Sequence, residues 1–492
     1  MSPRGSRRRR QDVAARCAGE YDAPVRALYW PFVCFLRVVL AVFFRTREVV
    51  GRENIPTEGP VIFVGNHPNS LLDPVVITLS CGRRLHFLAK DTLFRWPPLR
   101  LLLDTLGAVP VRRRQDHPGG PLDNRAAFAA LYELLRRGGA CGIFPEGISH
   151  AESDLAPLKT GAARIAFGAA TESLGPAPIR IVPCGLTYFR RTRMRSRVLV
   201  QFGPPLTIDA ARLAAWREDE GAAVRALTAD IEASLRALVV TAPDFETLRV
   251  ADTVRRLYAS RAPADFPLAA RAELTRRFLD GIERLRERDA EVEATYRAVA
   301  HYAGDLRALG LRDADLERPL RTRDVLARVA AHLALLFVFA PLTVPGLVIH
   351  GPLLAAAVVA GDGLTRRRDV RATTKLMVTT LCVPFAYAAI VAGLWARWPG
   401  PRPALAAAGG ALLLPLSGWA TIRVLHRQAA LRRSVWVLLH LILLRREVER
   451  LRAERAHLVA RVWGLVERHV DPGLPRIVPA QGDVPRGEDP VA

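Results

Sequence analysis

Between Val329 and Ala360 the only ionisable side chains are His332 and His350. A stretch of that length without a fixed charge is unsuited to a water-exposed surface and points to a bilayer or a deep core. Two further apolar runs follow, Leu376 to Ala396 and Ala404 to Ile422, the latter uncharged as far as Trp419. A helix needs about 20 apolar residues to cross a bilayer, so each of these two fits one span. The first run is too long for one span and contains Pro341, Pro345, Gly346 and Pro352. Arg321, Arg323 and Arg328 flank it on one side, and Arg366, Arg367, Arg368, Arg371 and Lys375 on the other. Basic loops favour the cytoplasmic face. Two basic flanks on one face require an even number of crossings, which predicts a hairpin, re-entrant or two-pass, turning near Pro341–Gly346. The competing expectation is one kinked helix with the Arg-rich loop outside.

The rest of the chain is more polar. It has 492 residues, enough for two or more domains, and 50% of them are hydrophobic. A soluble part joined to a few membrane segments fits that composition and the mean hydropathy of +0.11. The net charge of +23 favours an anionic partner such as a lipid surface, a phosphorylated substrate or nucleic acid. Only Lys90, Lys159 and Lys375 are lysines; arginine carries the remaining positive charge. The six cysteines are scattered, with no CxxC pair, and read as small buried hydrophobes in a reducing compartment. Residues 1–24 read as a basic disordered tail. The apolar stretch Ala27 to Phe44 starts too late for a cleaved signal and contains Arg37. With Tyr29 and Trp30 at its start, it reads as an interfacial membrane helix over 25–47.

From 48 to 245 short apolar runs alternate with helical patterns. Runs at 61–65, 85–89, 107–111, 140–144, 179–187 and 197–202 predict strands, and 123–137 and 158–173 predict helices. That alternation defines an α/β domain with a largely buried sheet. Residues 246–325 carry Ala-, Arg- and Glu-rich helical patterns without strand signals. The transmembrane region is placed at 326–425. Val448, Leu451, Leu458, Val462 and Leu465 form one apolar seam on a charged helix over 426–472, suited to a coiled coil or to packing on a neighbour. The Pro/Gly-rich end, 473–492, reads as disordered.

Two loops in the α/β part carry chemistry. Val61-Ile62-Phe63-Val64 leads into Asn66-His67-Pro68-Asn69-Ser70-Leu71-Leu72-Asp73, and Cys141-Gly142-Ile143 leads into Phe144-Pro145-Glu146-Gly147. Open α/β sheets place their sites beyond the carboxyl ends of the strands. His67 and Asp73 are six residues apart, which on a continuous helix is about 120° off a shared face. Their pairing needs a bend, and Pro68-Asn69-Ser70 supplies turn chemistry for one. A carboxylate on one imidazole nitrogen leaves the other free to take a proton from a hydroxyl. A histidine in such a loop commonly serves only as a cap or a satisfied polar group, so the pair is a weak signal by itself. Between the two loops, Gly107-Ala108-Val109-Pro110-Val111 ends in Arg112, Arg113 and Arg114, suited to bidentate phosphate contact or to solvation. Ile181-Val182-Pro183 is a buried strand containing a proline.

These four blocks, in this order, resemble the glycerophospholipid acyltransferase family, and Leu158-Lys159-Thr160-Gly161-Ala162 resembles the K-x-G-A block that follows F-P-E-G in it. The resemblance implies an α/β acyltransferase domain with a central mixed sheet flanked by helices. After it would come the helical region, a C-terminal transmembrane bundle and a long C-terminal helix. It implies an O-acyltransferase with His67 as general base and Asp73 as its orienter. Glu146 and Gly147 would position the acceptor, and Arg113, with Arg112 as alternate, would bind its phosphate. Asn66, Asn69 and Lys159 join these as substrate-binding candidates. The donor would be an acyl thioester, on CoA or acyl-carrier protein. The acceptor would be glycerol 3-phosphate or a lysophospholipid at the bilayer, with no metal or resident cofactor and no nucleic-acid partner. The catalytic domain would face the cytoplasm.

Two departures shape the expectation. Five residues separate His67 from Asp73 where the common motif has four, as in the subgroup of fungal-type glycerol-3-phosphate and dihydroxyacetone-phosphate acyltransferases and their large bacterial relatives. Ser149 stands where the common F-P-E-G-T-R-S motif has arginine, so Lys159, His150 or Arg114 would have to substitute. Competing readings are reacylation of other lysophospholipids and a non-catalytic basic membrane protein that binds anionic lipid. The latter leaves four ordered motifs to coincidence. A serine hydrolase is excluded by the lack of a G-x-S-x-G elbow.

Overall fold

A computed structural model describes residues 23–113, 116–119, 123–172, 178–261, 266–317, 322–397 and 402–469. The expected tails fall almost wholly outside these residues. The chain divides into two compact units, Met1–Thr241 with Thr365–Thr373, and Ala242–Leu364 with Thr374–Ala492.

The first unit is built on one eight-stranded sheet. Its strands are β1 (Phe44–Val50), β2 (Val61–Gly65), β3 (Leu85–Lys90), β4 (Val109–Val111), β5 (Ala140–Ile143), β6 (Arg180–Tyr188), β7 (Ser196–Phe202) and β8 (Leu206–Thr207). The order is β1-β7-β6-β2-β5-β3-β4, with β8 on β6. Pairing is parallel throughout except for β6 with β7 and with β8, so the sheet is mixed as expected. All five residues of β2 are buried, as befits a strand covered on both faces. Full burial of each such aliphatic side chain contributes about 1.5–3 kcal/mol. Helices Arg125–Arg136 and Gly161–Glu172 supply Leu131, Leu135, Ile165 and Phe167 to the same core as Ile62, Val64 and Cys141.

Register explains why the two motif loops meet. Val64 pairs with Ile143 in the parallel β2–β5 ladder, so both chains leave the sheet at one edge, side by side. β3 pairs with β5 and β4 with β3, also in parallel, which brings Arg112 and Arg113 to that same edge. At the opposite edge Arg83 donates to the carbonyls of Pro56, Gly59 and Gly138 at 2.8–3.0 Å, tying together the chains that enter β2 and β5.

Sequence patterns missed β1, which begins within the segment read as helical to residue 47. The helix is Ala23–Phe43, and its Val33, Leu36, Leu40 and Phe43 are buried while Trp30, Val38 and Val42 are exposed. One face is thus part of the first unit's core and the other presents apolar side chains outward. Helix Pro97–Thr105, which packs against it, adds exposed Trp96 and Leu101.

The second unit is helical. Helices Phe245–Tyr258, Leu268–Leu285, Ala290–Ala308 and Arg445–His469 share a core containing Leu257, Leu274, Tyr302, Leu451, Leu458 and Val462. The C-terminal seam therefore packs on neighbouring helices of its own unit rather than forming a coiled coil. Among the described residues three helices are long and apolar enough to cross a membrane: Arg323–Leu364, Arg371–Arg397 and Ala407–Leu443. The third belongs to a helix, Arg402–Leu443, that runs through the boundary expected at 425.

The expected hairpin at Pro341–Gly346 is not present. Helix Thr322–Val358 is continuous through Pro341, Pro345 and Pro352, and a π-helical turn extends it over Val359–Leu364. Gly346 serves close packing instead of a turn. A Cβ there would lie 2.3 Å from Thr421 Oγ1 and 2.5 Å from the Ser417 carbonyl of helix Arg402–Leu443. Four residues on, His350 Nδ1 reaches the Gly346 carbonyl at 2.8 Å, and its Nε2 meets Tyr387 Oη at 2.7 Å. Tyr387 Oη in turn donates to the Leu414 carbonyl at 3.2 Å. Prolines survive in apolar helices where such partners satisfy freed backbone groups and neighbours pack closely.

Candidate active site

The turn after β2 is tight. Ser70 has a left-handed φ of 52°, the Leu72 and Asp73 amides bond the Asn69 and Ser70 carbonyls, and helix Leu72–Cys81 begins there. This is the bend that a six-residue separation requires, and it brings His67 Nδ1 to 2.9 Å from Asp73 Oδ2. Asp73 is fully buried and collects two more donors, the Asn69 amide on Oδ2 at 2.7 Å and the Tyr188 hydroxyl on Oδ1 at 2.7 Å. Burial, then the Asp73 charge, pushes the Tyr188 phenol well above its ordinary pKa, so Tyr188 stays a donor. A carboxylate only accepts, which puts the proton of His67 on Nδ1 and makes Nε2 the basic nitrogen. The imidazole also stacks on Phe144, centroids 4.0 Å apart and planes within 8°, and Phe144 stacks on Phe87. Ring orientation is thus fixed from two directions.

Glu146, 2% exposed, joins the two loops. Its Oε1 accepts from the His67 amide at 2.8 Å, and its Oε2 accepts from the Ala156 amide at 2.9 Å and pairs with His150 Nε2. Both oxygens are engaged by the chain itself. As arranged, Glu146 holds the two loops together. Asn66 and Asn69 also bond backbone groups. The Asn66 amide exchanges two hydrogen bonds with the Leu186 backbone, at 3.0 and 2.7 Å, locking β2 to β6. Asn69 is fully buried, with its Nδ2 on the Arg191 carbonyl.

Gly147 has a φ of +68°, a conformation a side chain disfavours, and cations flank it. Arg113 Nη1 donates to its carbonyl at 3.0 Å, while Arg113 Nε bonds Asp116 at 2.7 Å. A Cβ on Gly147 would meet Lys159 Nζ at 2.6 Å, so the ammonium lies directly over the glycine. Arg112 sits farther off, its backbone bonded to Asn124 and its Nε 3.9 Å from Asp91. The remaining substitute suggested by sequence, Arg114, lies outside the described residues.

His150 gives a pH-dependent contribution. Its hydrogen bond to Glu146, opposed by burial, holds its pKa above the ordinary 6.5. A raised histidine pKa stabilises fully below the unfolded value and is lost as pH rises through the folded value. The melting-temperature gap between wild type and His150→Gln is therefore expected to be largest below about pH 6.5 and to shrink above it. A gap constant from pH 5.5 to 9 would refute the ion pair. His86, by contrast, is buried, with its pKa lowered to about 4, and bonds the Gly107 carbonyl as a structural neutral imidazole.

Tyr188, Arg191 and the segment 365–373 were not visible in the motifs. Tyr188 ends β6, beside β2, and only sheet order shows that it reaches Asp73. Arg191 Nη1 donates to the His150 carbonyl at 3.4 Å.

The Acyltransferase family matches residues 46–187, which contain His67, Asp73, Arg113, Glu146, Gly147 and Lys159. The chain belongs to that family. A second match narrows it: residues 250–474 correspond to the domain described as Glycerol-3-phosphate acyltransferase 2 C-terminal domain. Glycerol-3-phosphate O-acyltransferase 1 of Saccharomyces cerevisiae is 26% identical over 472 residues, covering 75% of this chain and 61% of that protein. Glycerol-3-phosphate O-acyltransferase 2 of the same yeast is 31% identical over 281 residues, 54% of this chain and 37% of that one. A 1-acyl-sn-glycerol-3-phosphate acyltransferase of Borreliella burgdorferi is 27% identical over 171 residues, 35% of this chain and 65% of that protein. The chain thus spans less than two thirds of each of these relatives.

Proposed function

We propose that this membrane protein transfers a fatty acyl group from an acyl thioester, on CoA or acyl-carrier protein, to the hydroxyl of glycerol 3-phosphate or 1-acylglycerol 3-phosphate. The observation that carries the reading is the Asp73–His67 pair held beside a glycine flanked by Arg113 and Lys159. A basic nitrogen serves the hydroxyl and the cations serve a phosphate dianion. The names of the yeast relatives, and this chain's match to the Glycerol-3-phosphate acyltransferase 2 C-terminal domain, support glycerol 3-phosphate as the first acceptor to test.

In this mechanism His67 Nε2 removes the acceptor's hydroxyl proton as that oxygen attacks the thioester carbonyl. Asp73 stabilises the imidazolium that forms. The tetrahedral oxyanion collapses, the C–S bond breaks, and the thiolate takes the proton back from His67. Arg113 and Lys159 hold the acceptor phosphate, so their contribution is binding and orientation. The exposed Trp30, Val38, Trp96 and Leu101 suit contact with the bilayer that holds the acyl chains, and the catalytic unit faces the cytoplasm.

The reading is tested with membranes containing the full chain, labelled acyl-CoA and a panel of acceptors. Transfer to glycerol 3-phosphate or its 1-acyl derivative is expected; absence of transfer to any hydroxyl acceptor with either donor would overturn it. Arg113→Ala is expected to raise KM for the phosphorylated acceptor about tenfold or more while changing KM for the thioester little.

A further inference from the structure

Residues 365–373, the link after the first apolar helix together with the start of the second, belong to the first compact unit although they are remote from it in sequence. Their contacts are specific. Asp369, 5% exposed, accepts from Ser149 Oγ at 2.5 Å and from Arg367 through Nε at 3.2 Å and Nη2 at 2.7 Å. Arg367 Nη2 also donates to the Ser149 carbonyl at 3.0 Å. Four residues beyond Asp369, the Thr373 hydroxyl, likewise buried, donates to the Asn69 carbonyl at 2.8 Å.

These two anchors lie on the two motif loops. Ser149 precedes His150, whose amide bonds the His67 carbonyl at 3.2 Å and whose ring pairs with Glu146. Asn69 is the residue whose amide binds Asp73 Oδ2. We propose that residues 365–373 are a strap of the catalytic site, with Asp369 and Thr373 as positioning residues that fix the loop bearing His67 and Asp73 against the loop bearing Glu146 and Gly147. A buried carboxylate is costly unless paired, and here the bidentate arginine and the hydroxyl supply its partners. A strap anchored at two points adds a constraint that neither loop has alone, and a shift of about 1 Å at a reacting group can cost about 10²-fold in rate.

The strap also constrains topology. It belongs with residues up to 241, and among the described residues from 242 to 364 one helix, Arg323–Leu364, is long and apolar enough to cross a membrane. A single crossing by that helix would separate the strap from the loops it binds. Position 367 is therefore expected on the same side of the membrane as those loops.

The inference rests on the acyl-transfer reading, and its test separates the two. Full-length Asp369→Ala and Thr373→Val are each expected to lower kcat about tenfold or more, with KM for both substrates within threefold. Thr373→Ser, which keeps the donor, is expected to restore kcat to within twofold of wild type. Ser149→Ala and Asp369→Ala combined are expected to lose no more than the worse single variant, because they break one contact. Wild-type transfer with Asp369→Ala and Thr373→Val at wild-type kcat would overturn the strap alone, as would losses that match the loss of folded protein on a melting curve; an inactive wild type would overturn the function instead. As a readout independent of catalysis, membrane-impermeant thiol labelling in a Cys34→Ala background is expected to reach Arg367→Cys and Glu152→Cys from the same face. Labelling from opposite faces would also overturn the strap.

Discussion

Replacing His67 with alanine is expected to lower kcat for acyl transfer about 10²–10⁴-fold, the usual contribution of a positioned general base. The loss should appear in kcat because the imidazole acts on the proton in flight and not on the acceptor phosphate. The fold should survive. Asp73 keeps two donors, the Asn69 amide and the Tyr188 hydroxyl, so the variant does not strand a buried carboxylate. The Glu146 contact to position 67 uses the backbone amide, which alanine retains. The side chain itself is partly exposed, at 18%, and its main apolar contact is the Phe144 face. A modest fall in melting temperature, of the size an ordinary substitution gives, is the structural expectation. A folded His67→Ala variant that transfers at the wild-type rate would remove the histidine from the mechanism.

Much of the sheet was legible because its strands are short, apolar and separated by helical periods. Expected strands at 61–65 and 197–202 became Val61–Gly65 and Ser196–Phe202. β1 was not legible, since its sequence, Phe-Arg-Thr-Arg-Glu-Val-Val, is charged and continues an apolar helix. Edge position explains this: it pairs only with β7, and several of its side chains are exposed. For the site, residue type and order pointed to His67, Asp73, Arg113 and Glu146, but the direction of each side chain did not follow. Asn66 and Glu146 have polar ends that could meet either substrate or backbone, and in the fold both bond backbone groups. The hairpin expectation failed because glycine and proline mark turns in water, whereas in an apolar helix Gly346 instead makes room for a neighbour. The contacts of 365–373 join residues some 220 apart, as Ser149 and Asp369 are, and no local pattern encodes such a pairing.

Asp73→Asn is expected to cut kcat on the order of 10²-fold or more while leaving KM for the phosphorylated acceptor nearly unchanged. The carboxylate does two things that an amide cannot do together. It accepts three hydrogen bonds on two oxygens, and it supplies a negative charge to the imidazolium that forms as the hydroxyl proton is taken. In one orientation the new NH2 group would face both His67 Nδ1 and the Asn69 amide, a donor against donors. In the other it faces Tyr188, whose hydroxyl can rotate to accept, but the histidine has still lost its counter-charge. The second orientation keeps the loop folded and so isolates the electrostatic part. Asp73→Ala is harsher, because it leaves three donors without an acceptor in a site closed to water, at about 1–3 kcal/mol each. It is expected to lower both activity and melting temperature. Tyr188→Phe provides the control: it removes the donor on Oδ1 and leaves the Oδ2 contact to His67 in place, so its effect on kcat should be much smaller than that of Asp73→Asn. Equal losses from Tyr188→Phe and Asp73→Asn would mean that the buried network matters only as packing, whereas a wide gap between them places the effect on the charge beside His67.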